Sequence, residues 1–164
     1  MEIDNKNENK IYEIINKTHD LAKESVEKGC GPFGCIITDN NFNIISCQHN
    51  RVTELNDPTA HAELNAIRDV CKKINNFDLN NCILFTSCEP CPMCLSAIYW
   101  ARINNVYYSN TRNCAKKIGF DDEYIYNELK KEINEININI KRVKSNNMLE
   151  SFNLWETKND KILY

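Results

Sequence analysis

Two short spacings in this chain could assemble a reactive centre: Cys91 and Cys94 in Pro90-Cys91-Pro92-Met93-Cys94, and His61 and Glu63 in His61-Ala62-Glu63. On a helix, cysteines three residues apart place both sulfurs on one face. Pro92 suits a first helical position, where its missing N–H would be unpaired anyway. The positive end of such a helix favours the thiolate, the form of cysteine that binds metal. A closed structural zinc site takes four protein ligands, commonly from two such pairs. Pro-Cys-x-x-Cys occurs once here, and the best third ligand upstream is His61. Three ligands with a fourth position left for chemistry describe a catalytic zinc site, one Zn2+ per chain.

On an ideal helix, residues i and i+2 point roughly 200° apart. His61 and Glu63 therefore meet at one small centre only if His61 sits at the start of its helix. Asp57-Pro58-Thr59 supplies that start signal directly before the apolar-periodic run from Ala60 to Ile74. Glu63 then lies beside the metal without binding it, which suits a carboxylate that moves protons. His-x-Glu followed by Pro-Cys-x-x-Cys is the signature of zinc nucleobase deaminases. A lone cysteine pair near an unrelated histidine and glutamate would explain each piece, but not the ordered set.

These residues need a scaffold, and the pattern reads as α/β. Met1 to Lys10 is expected to be a frayed polar extension, followed by a helical stripe at Ile11, Ile14, Ile15, Leu21, Ala22 and Val26. Phe33 to Thr38 and Phe42 to Cys47, joined by Asp39-Asn40-Asn41, read as an antiparallel hairpin. Asn50 follows, in the segment leading to the His61 helix. Cys82 to Thr86 is a buried-type strand, Cys91 to Ala101 a helix and Val106 to Ser109 a further strand. Strand, helix and strand in that order imply a parallel crossover, so the sheet is mixed. After a polar loop come Gly119-Phe120-Asp121-Asp122 and a short helix to about Lys131. Ile136, Ile138 and Ile140 alternate with asparagine as in a strand, and Met148 to Thr157 reads as a last helix.

The 164 residues are expected to form a single domain. A net charge of −3 argues against a protein built on phosphate contacts. Nine cysteines form no even, secreted-type framework, and no run approaches bilayer length. The expectation is a reduced, cytoplasmic protein without a membrane partner. Of four glycines and four prolines, all but Gly119 fall in or beside the candidate site segments. Residues that free or restrict the backbone are concentrated where the chemistry would be.

Gly31-Pro32-Phe33-Gly34, Asn50, the stretches from Asp57 to Glu63 and from Thr86 to Cys94, and Tyr99-Trp100-Ala101-Arg102 resemble the bacterial-type guanine deaminases. That family belongs to the cytidine deaminase-like zinc superfamily, which shares the zinc motifs; Gly119-Phe120-Asp121-Asp122 and the terminal Tyr164 are more particular to guanine deaminases. The resemblance runs from about Gly29 to Tyr164 and departs in the N-terminal extension and at Cys30. It implies a three-layer α/β/α fold with a mixed central sheet. It implies zinc on His61, Cys91 and Cys94, and Glu63 carrying protons while water attacks C2 of guanine, giving xanthine and ammonia, a step of purine catabolism. Asn50 would hydrogen-bond the base, with Phe33 and Trp100 against its faces. Asp122 as a further catalytic group and Tyr164 as a substrate contact would close the pocket, making about 119–164 a lid. A homodimer that exchanges its C-terminal segments is also implied. Plainer roles stand beside these: a loop-ordering Asn50, core aromatics at Phe33 and Trp100, a helix-capping Asp122 and a loose terminus at Tyr164.

Three other functions compete. A tRNA adenosine deaminase has similar zinc motifs but must attract phosphates, and Asp121, Asp122 and Glu123 put three carboxylates in a row on the proposed lid. A deaminase of another free base such as cytosine is not separated by charge. A zinc-stabilised interaction domain would not need Glu63.

Overall fold

A computed structural model describes residues 5–163, in two compact units, Met1–Asp122 and Glu123–Tyr164. Within the first unit, helix α1 (Asn5–Glu27) precedes the hairpin of β1 (Gly34–Asp39) and β2 (Ile44–His49). Short helix α2 (Val52–Leu55), α3 (Ala62–Ile74), β3 (Cys82–Cys88), α4 (Pro92–Trp100), β4 (Asn105–Asn110) and α5 (Arg112–Lys117) follow. The sheet order is β2-β1-β3-β4. β1 runs antiparallel to both β2 and β3, whereas β3 and β4 are parallel and joined through α4. This is a mixed sheet with helices on both faces, a three-layer α/β/α arrangement.

Strand alternation sorts the core into its two halves. On β3, Ile83 and Phe85 join Ile14 of α1 and Ile36 of β1 on one face. Cys82 and Leu84 face the other way, with Cys35 and Ile37 of β1, Ala62, Ala66 and Val70 of α3, and Ile98 of α4. All seven residues of β3 are buried, as befits a strand covered on both faces. The next side chain towards α3 along β3 is Thr86, and its polarity there matters below.

α1 lies so close to β1 that a Cβ on Gly34 would stand 2.2 Å from Thr18 O and 2.7 Å from Leu21 Cβ. Only glycine lets the helix seat at that depth. The hairpin turn is organised by Asp39, whose Oδ1 accepts the N–H groups of Asn41 at 2.8 Å and Asn43 at 2.9 Å.

The structure departs from the sequence pattern in four places. α1 already begins at Asn5, inside the segment expected to fray, because Glu8, Asn9 and Lys10 continue its polar face while Lys10 Nζ sits 5.5 Å from the Phe42 ring centroid. Residues 1–4 lie outside the described residues. The loop after β4 contains α5, with Thr111 as its N-cap. A one-turn helix, α2, also forms between Asn50 and His61.

The fourth difference lies in the second unit, which contains α6 (Glu123–Glu128) and α7 (Glu150–Thr157). Ile136 to Ile140 is not a strand. The backbone N–H of Asn137 donates to Glu128 Oε2 at 2.6 Å, and Asn137 Nδ2 donates to Tyr124 Oη at 3.0 Å. Those contacts bend the segment onto α6, and no strand among the described residues of this unit offers a ladder partner. None of those residues is buried, although they include Leu154, Trp155, Ile138 and Val143.

Candidate metal centre

α3 and α4 point their N-termini at one spot. His61 is the N-cap of α3 and Cys91 the N-cap of α4, both with extended backbone and neither using its side chain as a cap. Pro92 occupies the first turn of α4, as its fixed φ allows. The imidazole and the thiol are thereby turned off their helices towards each other.

His61 Nδ1 lies 3.6 Å from Cys91 Sγ and 3.5 Å from Cys94 Sγ, and the two sulfurs are 3.5 Å apart. Zinc bonds of about 2.3 Å to sulfur and about 2.0–2.1 Å to nitrogen give tetrahedral edges of about 3.5–3.8 Å. The three donor atoms thus already form one face of a zinc-sized tetrahedron. They are the one group of three metal-ligating side chains of this kind among the described residues. The donor set suits zinc, borderline-soft and four-coordinate, better than the hard cations that take oxygen.

The electrostatics agree. The hydrogen bond with Cys94 is the chief reason that Cys91 is held down to about 4, with His61 adding to it, so Cys91 is a thiolate. Its hydrogen bond in turn raises His61 above the usual histidine range. Cys94 is fully buried, and its bond with Cys91, followed by burial, pushes its thiol far up until metal displaces the proton.

Glu63 stands one step from the ligands. It is buried, and burial pushes its carboxyl above the ordinary range. Oε2 accepts from Cys94 Sγ at 3.4 Å, while Oε1 accepts from the Thr86 hydroxyl at 3.1 Å. A carboxyl raised by burial and held beside a metal site is suited to take up and release protons.

Asn50 is buried at the end of β2. Val52 N–H donates to its Oδ1 at 3.1 Å, which fixes the amide orientation and leaves Nδ2 as a donor without a partner among the described residues. Its backbone is anchored too: Asn50 N donates to Phe33 O at 3.0 Å, and Ser25 Oγ donates to Asn50 O at 3.0 Å. Phe33 is half-buried and meets Phe120 edge-on with centroids 4.9 Å apart, which brings the Gly119–Asp122 segment to the Gly31–Gly34 loop. Asp122 is half-buried, and its carboxyl is raised by burial and then by the charge of Cys91. Asp121 pairs with Lys116 at 3.2 Å, so the row of three carboxylates is less negative than its sequence reads.

Trp100 lies further along the helix that begins at the metal ligands. It is the last residue of α4, 65 % exposed, and nine residues of helical rise separate it from Cys91, roughly 13 Å. Tyr164 lies outside the described residues.

Sequence patterns passed over three contributors to the site. Thr86 and Ser87 are the polar residues of an otherwise apolar strand, a signal that was legible; Gly34 N–H donates to Ser87 Oγ at 3.0 Å, tying the Phe33 loop to β3. Asn65, a poor helix former within α3, was the third.

Comparison with known proteins follows the same lines. Residues 8–110 match the zinc-binding region of cytidine and deoxycytidylate deaminases. The chain is 46 % identical over 143 residues to the guanine deaminase of Bacillus subtilis, an alignment covering 87 % of this chain and 91 % of that one. The crystal structure of guanine deaminase from Bacillus subtilis superposes with a TM-score of 0.87 at 44 % identity, over 92 % of this chain and 96 % of that one. A tRNA-specific adenosine deaminase from Aquifex aeolicus is 47 % identical over 88 residues, covering 54 % of this chain and 58 % of its own.

Proposed function

The chain belongs to the cytidine and deoxycytidylate deaminase zinc-binding family, and from that membership we propose that it is a zinc-dependent guanine deaminase. The observation that carries the choice of base is the reach of the similarity. It extends over 143 residues with a guanine deaminase but over 88 with the tRNA enzyme, so the segments beyond the zinc motifs are shared with the former. The reaction is guanine plus water giving xanthine plus ammonia.

His61, Cys91 and Cys94 hold the zinc. When bound, zinc acidifies water so that a nucleophile is available near neutral pH. Glu63 takes one proton as water oxygen bonds to C2 and delivers it to the adjacent ring nitrogen. It carries the second proton to the exocyclic amine, the C2–N bond breaks, and ammonia leaves. The Thr86 hydroxyl keeps Oε1 of Glu63 in place, so that Oε2 faces the metal ligands. The Nδ2 donor of Asn50 suits a purine that offers two neighbouring acceptors, O6 and N7; adenine offers a donor at position 6 instead. Phe33 packs on the base, Asp122 is a second titrating group at its edge, and Tyr164 closes the pocket.

The assembly is a homodimer with exchanged C-terminal segments, the second unit acting as a lid. Support comes from that unit itself: it buries none of its described residues, yet Leu154, Trp155, Ile138 and Val143 need cover. No described helix is long and apolar enough to cross a membrane. None of the nine cysteines is in a disulfide, which fits a cytoplasmic setting.

Ammonia release from a panel of guanine, adenine, cytosine, guanosine, adenosine and a tRNA anticodon stem-loop RNA tests this reading. Guanine should be turned over at least about tenfold faster than any other member. A preference for adenosine in RNA, or no release from any base, would replace it with the tRNA-enzyme or the interaction-domain alternative.

A further inference from the structure

Taking from the reading above that Asn50 contacts the base and His61 the metal, we propose that Asn65 is a positioning residue that sets the separation between them. Its Nδ2 donates to His49 O at 3.0 Å and to Ala60 O at 3.1 Å. His49 immediately precedes Asn50, and Ala60 immediately precedes His61. Both partners are carbonyls, so the nitrogen must face them, and both of its hydrogens are used. Asn65 is itself fixed in the first turn of α3, its N–H bonded to His61 O at 2.9 Å. One carboxamide thus clips the strand end that carries the base-reading residue to the turn that carries the metal ligand.

The rest of the hydrogen bonding shows why the clip matters. Ser25 of α1 and Phe33, just before β1, hold the backbone of Asn50. Towards the metal helix, the hydrogen bonds from residues 49–51 among the described residues are the Asn65 clip and Arg51 N to Ala60 O at 2.9 Å. His49 and Ala60 are both buried, so without Asn65 the His49 carbonyl would lose its donor from this side. Helix formation alone would favour alanine or leucine here by roughly 0.5 kcal/mol. An asparagine in the helix with both amide hydrogens committed to backbone acceptors is there for its contacts.

The chemical consequence is alignment. C2 of a base held by Asn50 must come within about 3–3.5 Å of the attacking oxygen, and a shift of about 1 Å costs about a hundredfold in rate. Asn65 touches neither base nor metal and acts through the spacing of the residues that do.

A double-mutant cycle with Asn50 tests this. Asn65→Leu keeps size, does not weaken the helix and removes both donors. Loaded with one zinc per chain, it should lose about 10–100-fold in kcat/KM for guanine. In the Asn50→Ala background, where no amide remains to be positioned, the same change should cost less than about threefold. Equal losses in both backgrounds would reduce Asn65 to a structural role, and an unimpaired Asn65→Leu would remove it altogether. If Asn65→Leu does not fold, Asn65→Ser, smaller and polar, takes its place in the cycle. Wild type that leaves guanine untouched refutes the choice of base instead; the cycle, run on whichever free base wild type does turn over, still decides the role of Asn65.

Discussion

The hydroxyl of Thr86 donates to Glu63 Oε1 at 3.1 Å, from a position on β3 with no solvent exposure. Strand alternation aims Thr86 at α3, and the helix brings Glu63 down to meet it. A buried carboxylate oxygen without that donor would rotate or be left unsatisfied. Thr86→Val preserves shape and removes the donor, so turnover should fall about 10–100-fold with zinc content unchanged. Thr86→Ser should keep most of the activity. Full activity in Thr86→Val would show that Glu63 needs no such anchor.

Metal analysis separates the ligands from the proton carrier. Cys91→Ala should lose stoichiometric zinc, since one vertex of the donor triangle is gone. Glu63→Gln should keep the metal and the fold while turnover drops by about 10²–10⁴-fold, because an amide cannot accept the proton. Zinc retained in Cys91→Ala, or brisk turnover in Glu63→Gln, would reverse these assignments.

Gly34→Ala should destabilise the protein by about 3 kcal/mol, as overpacking against a fixed backbone does. The added methyl would collide with Thr18 O at 2.2 Å, and relief requires α1 to lift off the sheet. Urea unfolding measures it; a midpoint equal to wild type would mean that the helix moves at little cost.

Removing Ile162 to Tyr164 should weaken guanine deamination several-fold with zinc intact, because a lid over a ribose-free purine excludes water and strengthens the polar contacts to the ring. Wild type should also reject guanosine, whose ribose would project where the lid closes. Steady-state rates for guanine and guanosine on both proteins decide it. Equal rates for guanine and guanosine in wild type, or an unaffected truncation, would rule the lid out.

The metal ligands were legible in the sequence because residue type and short spacing carry that chemistry. Pro90-Cys91-Pro92-Met93-Cys94 describes its own helix start, and Asp57-Pro58-Thr59 places His61 at another; both became N-caps. The buried strand at Cys82, the hairpin and the crossover were legible for a similar reason, since apolar runs and turn residues are local. Partners distant in the chain were not. That Thr86 meets Glu63, that Asn65 spans His49 and Ala60, and that Phe33 meets Phe120 all depend on register and helix seating. Those are set by many contacts at once, Gly34 against Thr18 among them. Ile136 to Ile140 shows the converse: alternation alone does not make a strand when Glu128 takes the backbone N–H of Asn137. The sequence by itself determined the reactive groups; the tertiary structure decided which neighbours hold them in place, because side-chain contacts follow from packing and not from order along the chain.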